Sequence, residues 1–217
     1  MRSLLPAVAV TAAALVFAST SDAQKPPKAG TVTLKGSADT VTFSTPLTLT
    51  GSVQGEKAGV AVALERRPST SPAFVAAGSA VTDVRGDFSF TERPQANTVY
   101  RVTAAITPPA TSAEVAAAVA PLVGLRVGDS TPRSGRRVRF RGTVRPAHDG
   151  RRVSIQRKRA DGTWRTVATP RLRDAGSAYS RYSRRVRISR TGTYRTVIAV
   201  HADHVQGTSR ERRLTVH

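Results

Sequence analysis

The chain of 217 residues contains no cysteine. That single absence removes disulfides, thiolate metal sites, a catalytic thiol and a lipid-bearing N-terminal cysteine together. The fold must stand on core packing alone. Asparagine occurs only at Asn97, and Val99 occupies the position where an N-glycosylation acceptor needs a hydroxyl. With no asparagine further on, the C-terminal half also lacks the means for a Lys–Asn isopeptide cross-link. Serines are plentiful, but no G-x-S-x-G elbow holds one, and all four histidines lie at 148, 201, 204 and 217. The 14 acids include no Asp-x-Asp run, so a calcium-stiffened linker is not expected, and no acid pair marks a glycosidase cleft. His201-Ala202-Asp203-His204 brings two imidazoles and a carboxylate together. Ligands from one hairpin rarely close a tetrahedron without a distant fourth, and this stretch reads as a solvated loop. The expectation is a non-enzymatic chain with no metal and no cofactor.

Long apolar runs are scarce too. One spans Leu4 to Ala18 behind Arg2, with small residues at Ser21 and Ala23. Its length of about fifteen residues falls short of the ~20 a spanning helix needs. Residues 1–23 therefore read as a cleaved signal peptide and 24–30 as a linker. The product is expected to be secreted, extracellular or associated with the cell envelope, with no transmembrane anchor.

What remains is β in character. Short alternating runs rich in valine, threonine and tyrosine are separated by Gly, Pro, Asp and Ser at near-regular spacing. Ala113 to Ala120 reads as a strand rather than a helix. The chain also repeats itself. LTLTGSV at 47–53 answers VRFRGTV at 138–144, a shift of 91, and GVAVALERR at 59–67 answers RRVSIQRKR at 151–159, a shift of 92. Phe74 answers Trp164, Asp83 answers Asp174, Tyr100-Arg101 answers Tyr194-Arg195, and Thr111-Ser112 answers Thr208-Ser209. Two copies of one all-β domain follow, at 31–121 and 122–217, meeting near Pro121. About seven strands in about ninety residues suit a two-sheet antiparallel sandwich. Tyr100, Tyr194, Trp164 and Phe74 are the expected structural core aromatics.

The ordered motifs G-x-V, G-x-x-V-x-x-x-x-R, an aromatic, Asp-x-x-Gly and Y-R resemble those of the Ig-like repeats of bacterial extracellular and cell-surface proteins. That resemblance implies two tandem Ig-like antiparallel β-sandwich domains and a scaffold, adhesive or accessory binding role. It transfers no catalytic residues, and the core cysteines of antibody domains are missing. It also implies a tyrosine corner at Tyr100 and Tyr194, whose hydroxyls would bond upstream backbone.

Charge is the strongest functional signal. Residues 30–121 hold seven Lys/Arg and seven Asp/Glu, whereas 122–217 hold twenty-four against six, a net of +18. Strand parity turns Arg126, Arg139, Arg141, Arg171, Arg173, Arg185 and Arg187 outward on what should be one sheet. Arg184 breaks that parity, which points to a bulge or strand end near Gly176–Ser183. Removing the charge of Arg210 and Arg212 should matter less if they lie off the face. Two readings stay open. In one, the basic domain associates with an anionic polymer or surface, such as wall polymer, anionic lipid or extracellular DNA. In the other, the chain is a protein–protein interaction or structural module that binds a protein partner at a sheet edge or loop, and arginine serves solubility only.

Overall fold

A computed structural model describes residues 30–55 and 58–217. The expected signal peptide, with all of the linker but Gly30, lies outside the described residues. Those described form twenty short strands and no helix. In the first half these are β1 (Thr31–Val32), β2 (Lys35–Gly36), β3 (Thr40–Thr42), β4 (Leu47–Gln54), β5 (Ala61–Pro68), β6 (Val75–Val81), β7 (Asp87–Glu92), β8 (Thr98–Ala104), β9 (Ala110–Thr111) and β10 (Val115–Ala120). The second half continues with β11 (Leu122–Val123), β12 (Arg126–Val127), β13 (Arg136–Arg145), β14 (Val153–Lys158) and β15 (Trp164–Ala168). It closes with β16 (Arg173–Asp174), β17 (Ser180–Ile188), β18 (Gly192–Ile198), β19 (Gly207–Thr208) and β20 (Arg212–Leu214).

These strands make two Ig-like sandwiches. In the first, β1 and β2 pair β4, which pairs β7, and the facing sheet runs β3–β10–β8–β5–β6. In the second, β11 and β12 pair β13, which pairs β17 and then β16, and the facing sheet runs β15–β14–β18 with β19 and β20 on its far edge. Alternation dictates the layering, because successive side chains on a strand point to opposite faces. Leu47, Leu49 and Val53 of β4 are sealed in one core, and Val138, Phe140 and Val144 of β13 in the other. The two buried clusters share no residue.

The copies agree in detail. Each pairs two strands of its second sheet through a register shift at the same place, Leu64/Glu65 in β5 and Ile155/Gln156 in β14. Ser112 and Ser209, both buried, each accept the backbone N–H of a strand residue, Val102 at 3.0 Å and Thr196 at 2.9 Å. Not every pairing is antiparallel. β3 runs parallel to β10, so the first edge segment leaves one sheet and joins the other. The second copy does the same through Thr215 N–H to the Ser130 carbonyl and His217 N–H to that of Pro132.

Only Pro121 separates β10 from β11, and the halves touch. The Asn97 N–H reaches the Asp203 carbonyl at 2.8 Å, and the Val205 N–H reaches that of Val119 at 3.0 Å. Asn97 also takes the Val119 N–H on its side-chain oxygen at 2.8 Å. The chain's one asparagine is thus a clasp at this junction.

Three expectations need correction. No bulge interrupts β17, whose register with β13 is continuous from Ser180 to Ile188, though the strand does begin within the expected Gly176–Ser183 stretch. Arg184 instead occupies an inward position opposite Phe140 and is exposed because the sandwich is open there. Phe74 and Trp164 are half-buried rather than core. Each lies under a guanidinium, Arg101 4.1 Å from the Phe74 ring centre and Arg195 4.0 Å from that of Trp164. Tyr100 and Tyr194 sit in the cores, but neither hydroxyl hydrogen-bonds to upstream backbone among the described residues. That bond is made by Tyr182, whose hydroxyl donates to the Gly124 carbonyl at 2.8 Å.

Candidate polyanion-binding face

On β13 the inward row is Val138, Phe140, Gly142 and Val144, so Arg137, Arg139, Arg141 and Arg145 fall on the solvent side. Register then places other arginines opposite them. Arg126 of β12 faces Arg141, Arg185 of β17 faces Arg139, and Arg187 faces Arg137. Arg173 of β16 faces Arg181. Directly opposed residues share a face and stand about 5 Å apart, where like charges destabilise the sheet. Four such pairs on one sheet are a real cost. Arg171 stands apart from these pairs, in an isolated bridge with Arg152.

Two acids, Asp129 and Glu211, border this charge beside Arg126, Arg141 and Arg212, but they do not pair with it. Among the described residues no Arg or Lys beyond residue 121 forms an ion pair with a carboxylate. Five of the six acids make other hydrogen bonds instead, three of them within their own turns. Asp129 accepts the Thr131 N–H, Asp161 the Thr163 N–H and hydroxyl, and Asp174 the Gly176 N–H. Asp149 accepts the Ser180 hydroxyl, and Asp203 lies against His201. Hydrogen bonds from its own turn hold the Asp161 carboxyl below the usual carboxylate range. The first domain behaves otherwise, with Arg66–Glu92 at 3.1 Å, Arg67–Glu114 at 3.2 Å and Arg101–Glu65 at 2.8 Å.

The face is concave. Arg126, Arg139, Arg141, Arg145 and Arg181 line a hollow of about 820 Å³ whose floor is Val123–Leu125 and Gly142. Arg210 and Arg212 line it too, the latter held by a 3.4 Å bond to the Leu125 carbonyl. Neither therefore lies clear of the face. They belong to the facing sheet's edge, which the sandwich brings against β11 and β12. Arg137, Arg145 and Arg181 were missed although the same parity, carried to the ends of β13 and β17, reaches them. Arg185 and Arg187 line a second hollow.

The first domain has the corresponding hollow, about 610 Å³, lined by Thr33, Lys35, Thr50, Ser52, Asp83 and Asp87 among others. Its outward cross-strand pairs are Thr48 with Thr91, Thr50 with Ser89 and with Lys35, and Ser52 with Asp87. The fold therefore supplies the concavity, a lining of hydroxyls with balanced charges suffices to build it, and the arginine excess is an addition in the second copy.

The expected solvated histidine loop is also corrected. His204 is buried, 3% exposed, with its ring 5.1 Å from that of His148. Its Nε2 lies 2.9 Å from the Gln95 carbonyl of the other domain. The loop is a junction contact, and no group of three His, Cys, Asp or Glu among the described residues is arranged to hold a metal ion.

The geometry defines a protein of two Ig-like sandwiches, the second armoured with arginine. No family model and no curated protein matches the chain. Among solved structures it is similar to the native conformation of E. coli alpha-2-macroglobulin, with a TM-score of 0.38 and 11% identity over 87% of this chain and 17% of that one. The chain thus spans less than a fifth of that protein's length, and a likeness of this degree says nothing of function. No helix among the described residues is long and apolar enough to cross a membrane.

Proposed function

We propose that the protein is an exported, non-enzymatic scaffold of the bacterial extracellular Ig-repeat kind, whose second domain docks on an anionic envelope polymer through the outer face of β12, β13, β16 and β17. One observation carries this reading. The same face in the first domain is built from threonine and serine with one lysine and two aspartates, and no two cations stand opposite one another there, so the four opposed arginine pairs are no requirement of the fold. An external polyanion relieves their repulsion, and the planar guanidinium fork matches phosphate and carboxylate. The N-terminal signal pattern supports export. A protein partner at a sheet edge has the unpaired side of β17 beyond Arg181 in its favour. Arg184 counts against it, because an inward-facing charge on an edge strand blocks strand addition.

The test uses duplex DNA as a probe of known charge density. Its binding to the full chain should weaken with salt along a log–log slope of about −0.9 per phosphate neutralised. Arg139→Ser with Arg141→Ser should flatten the slope by about two, whereas Lys35→Ser with Arg85→Ser in the first domain should leave it unchanged. Equal slopes for the two double variants refute the assignment.

A further inference from the structure

A second hollow, of about 670 Å³, opens between β15 and β17 at the side where β16 is too short to cover the sandwich. Arg184 reaches it from the inward row of β17, and Arg157, Lys158, Arg159 and Arg165 reach it from the facing sheet. No acid lines it. Its lining abuts the first hollow, because Arg185 of the second stands opposite Arg139 of the first across β13 and β17. Outward residues on one strand recur about every 6.6 Å, so the row from Arg137 to Arg145 covers about 26 Å. Within that row every outward position except Thr143 is arginine.

We infer that the two hollows are the ends of one track, and that the ligand is a linear phosphate-backbone polyanion lying along β13 and β17 rather than a compact anionic group. This rests on the face assigned above and adds the ligand's shape and five cations from outside that face. A compact anion needs one hollow. Two cation-lined hollows joined by an arginine row interrupted only at Thr143, with no carboxylate in either lining, match a chain whose charges continue. A span of about 26 Å corresponds to about eight nucleotides of a stacked single strand at 3.4 Å each.

Fluorescence anisotropy of labelled oligothymidylates on the full chain tests this. Affinity should climb steeply from three to about eight nucleotides and only gently beyond. Arg184 and Arg165 are exposed and make no ion pair, so Arg184→Ser with Arg165→Ser should fold, as unchanged circular dichroism will verify. That variant should bind a 12-mer roughly tenfold more weakly, with a salt slope about 1.4 shallower, and bind a trimer within twofold of the parent. If 12-mer binding is unaffected, or trimer and 12-mer weaken alike, the track is wrong. In that event weakening of both lengths by Arg139→Ser with Arg141→Ser leaves the single-face reading standing. Failure of that variant to weaken either length overturns both readings.

Discussion

Two hydroxyls in the second core have no counterpart in the first. Tyr182 stands where the first domain has Phe88, and Thr196 where it has Val102. A hydroxyl carries one proton, so Tyr182 donates it to the Gly124 carbonyl and takes the Thr196 hydroxyl proton, each at 2.8 Å. A buried polar pair is thereby satisfied and ties the first strand segment to both sheets. Burial pushes the Tyr182 phenol up to about 12, and burial assisted by Glu92 does the same to Tyr100. The folded value exceeds the unfolded value of about 10, so this stability is fully present below pH 10 and is lost as pH rises through about 12. Tyr182→Phe should cost about 1 kcal/mol at pH 7 through the lost hydrogen bonds. It should also flatten the alkaline fall in stability between pH 10 and 12, by at most roughly 2–3 kcal/mol. Denaturant melts of parent and variant across that range measure both, and parallel alkaline curves would refute the role. The sequence showed aromatics at the right strands but could not show which hydroxyl found a partner. That depends on a carbonyl 58 residues away.

At the scale of strands, alternation made most of the fold legible. The G-x-V motif of each copy has a steric cause. A Cβ on Gly142 would lie 1.9 Å from the Gly124 carbonyl oxygen, and one on Gly51 would lie 2.0 Å from that of Thr33. The first strand segment crosses there, and only glycine admits it. Gly142→Ala should therefore destabilise by about 1–3 kcal/mol or more, with the first segment displaced from β13. Gly78→Ala meets only Phe90 at 3.8 Å and should stay within about 0.5 kcal/mol of the parent. Chemical denaturation compares the two, and similar losses would show that the crossing tolerates a methyl. Parity also found the arginine face, because a period of two fixes which side of its own sheet a residue takes. It misled at Arg184, where an inward position opens to solvent instead of ending in a bulge. It had no means of placing Arg212, whose strand belongs to the other sheet, or Arg210, which lies between β19 and β20, since only packing sets the two edges side by side. The bonds that Asn97 and His204 make across the junction were equally invisible, being contacts between repeats rather than within one.

For the whole molecule, charge asymmetry has an energetic consequence independent of any ligand. Twenty-four cations beyond residue 121 face six acids, and no Arg or Lys there forms an ion pair among the described residues. The second domain must pay self-repulsion in its folded, compact state, where charges lie closer than in the unfolded chain. Simple salt screens such repulsion, with a Debye length of about 30 Å at 0.01 M falling to about 3 Å at 1 M. The first domain balances seven cations with seven acids and holds three ion pairs, so salt should leave it unchanged or slightly weaker. Trp164 is the only tryptophan, and its fluorescence follows the second domain alone. The tryptophan-detected melting midpoint should rise as sodium chloride is raised from 0.01 to 0.5 M. A bound polyanion acts by a different law, adding RT ln(1 + [L]/Kd), or about 2.7 kcal/mol at a hundredfold excess over Kd. Micromolar 12-mer oligothymidylate at 0.01 M salt should accordingly raise the same midpoint. That rise should vanish at 0.5 M salt, where counterion release no longer favours binding. Salt and polyanion must thus stabilise separately and oppose each other when combined. A midpoint indifferent to salt would remove the repulsion on which the docking proposal leans. A rise with polyanion that persists at 0.5 M would show binding driven by something other than this face's charge.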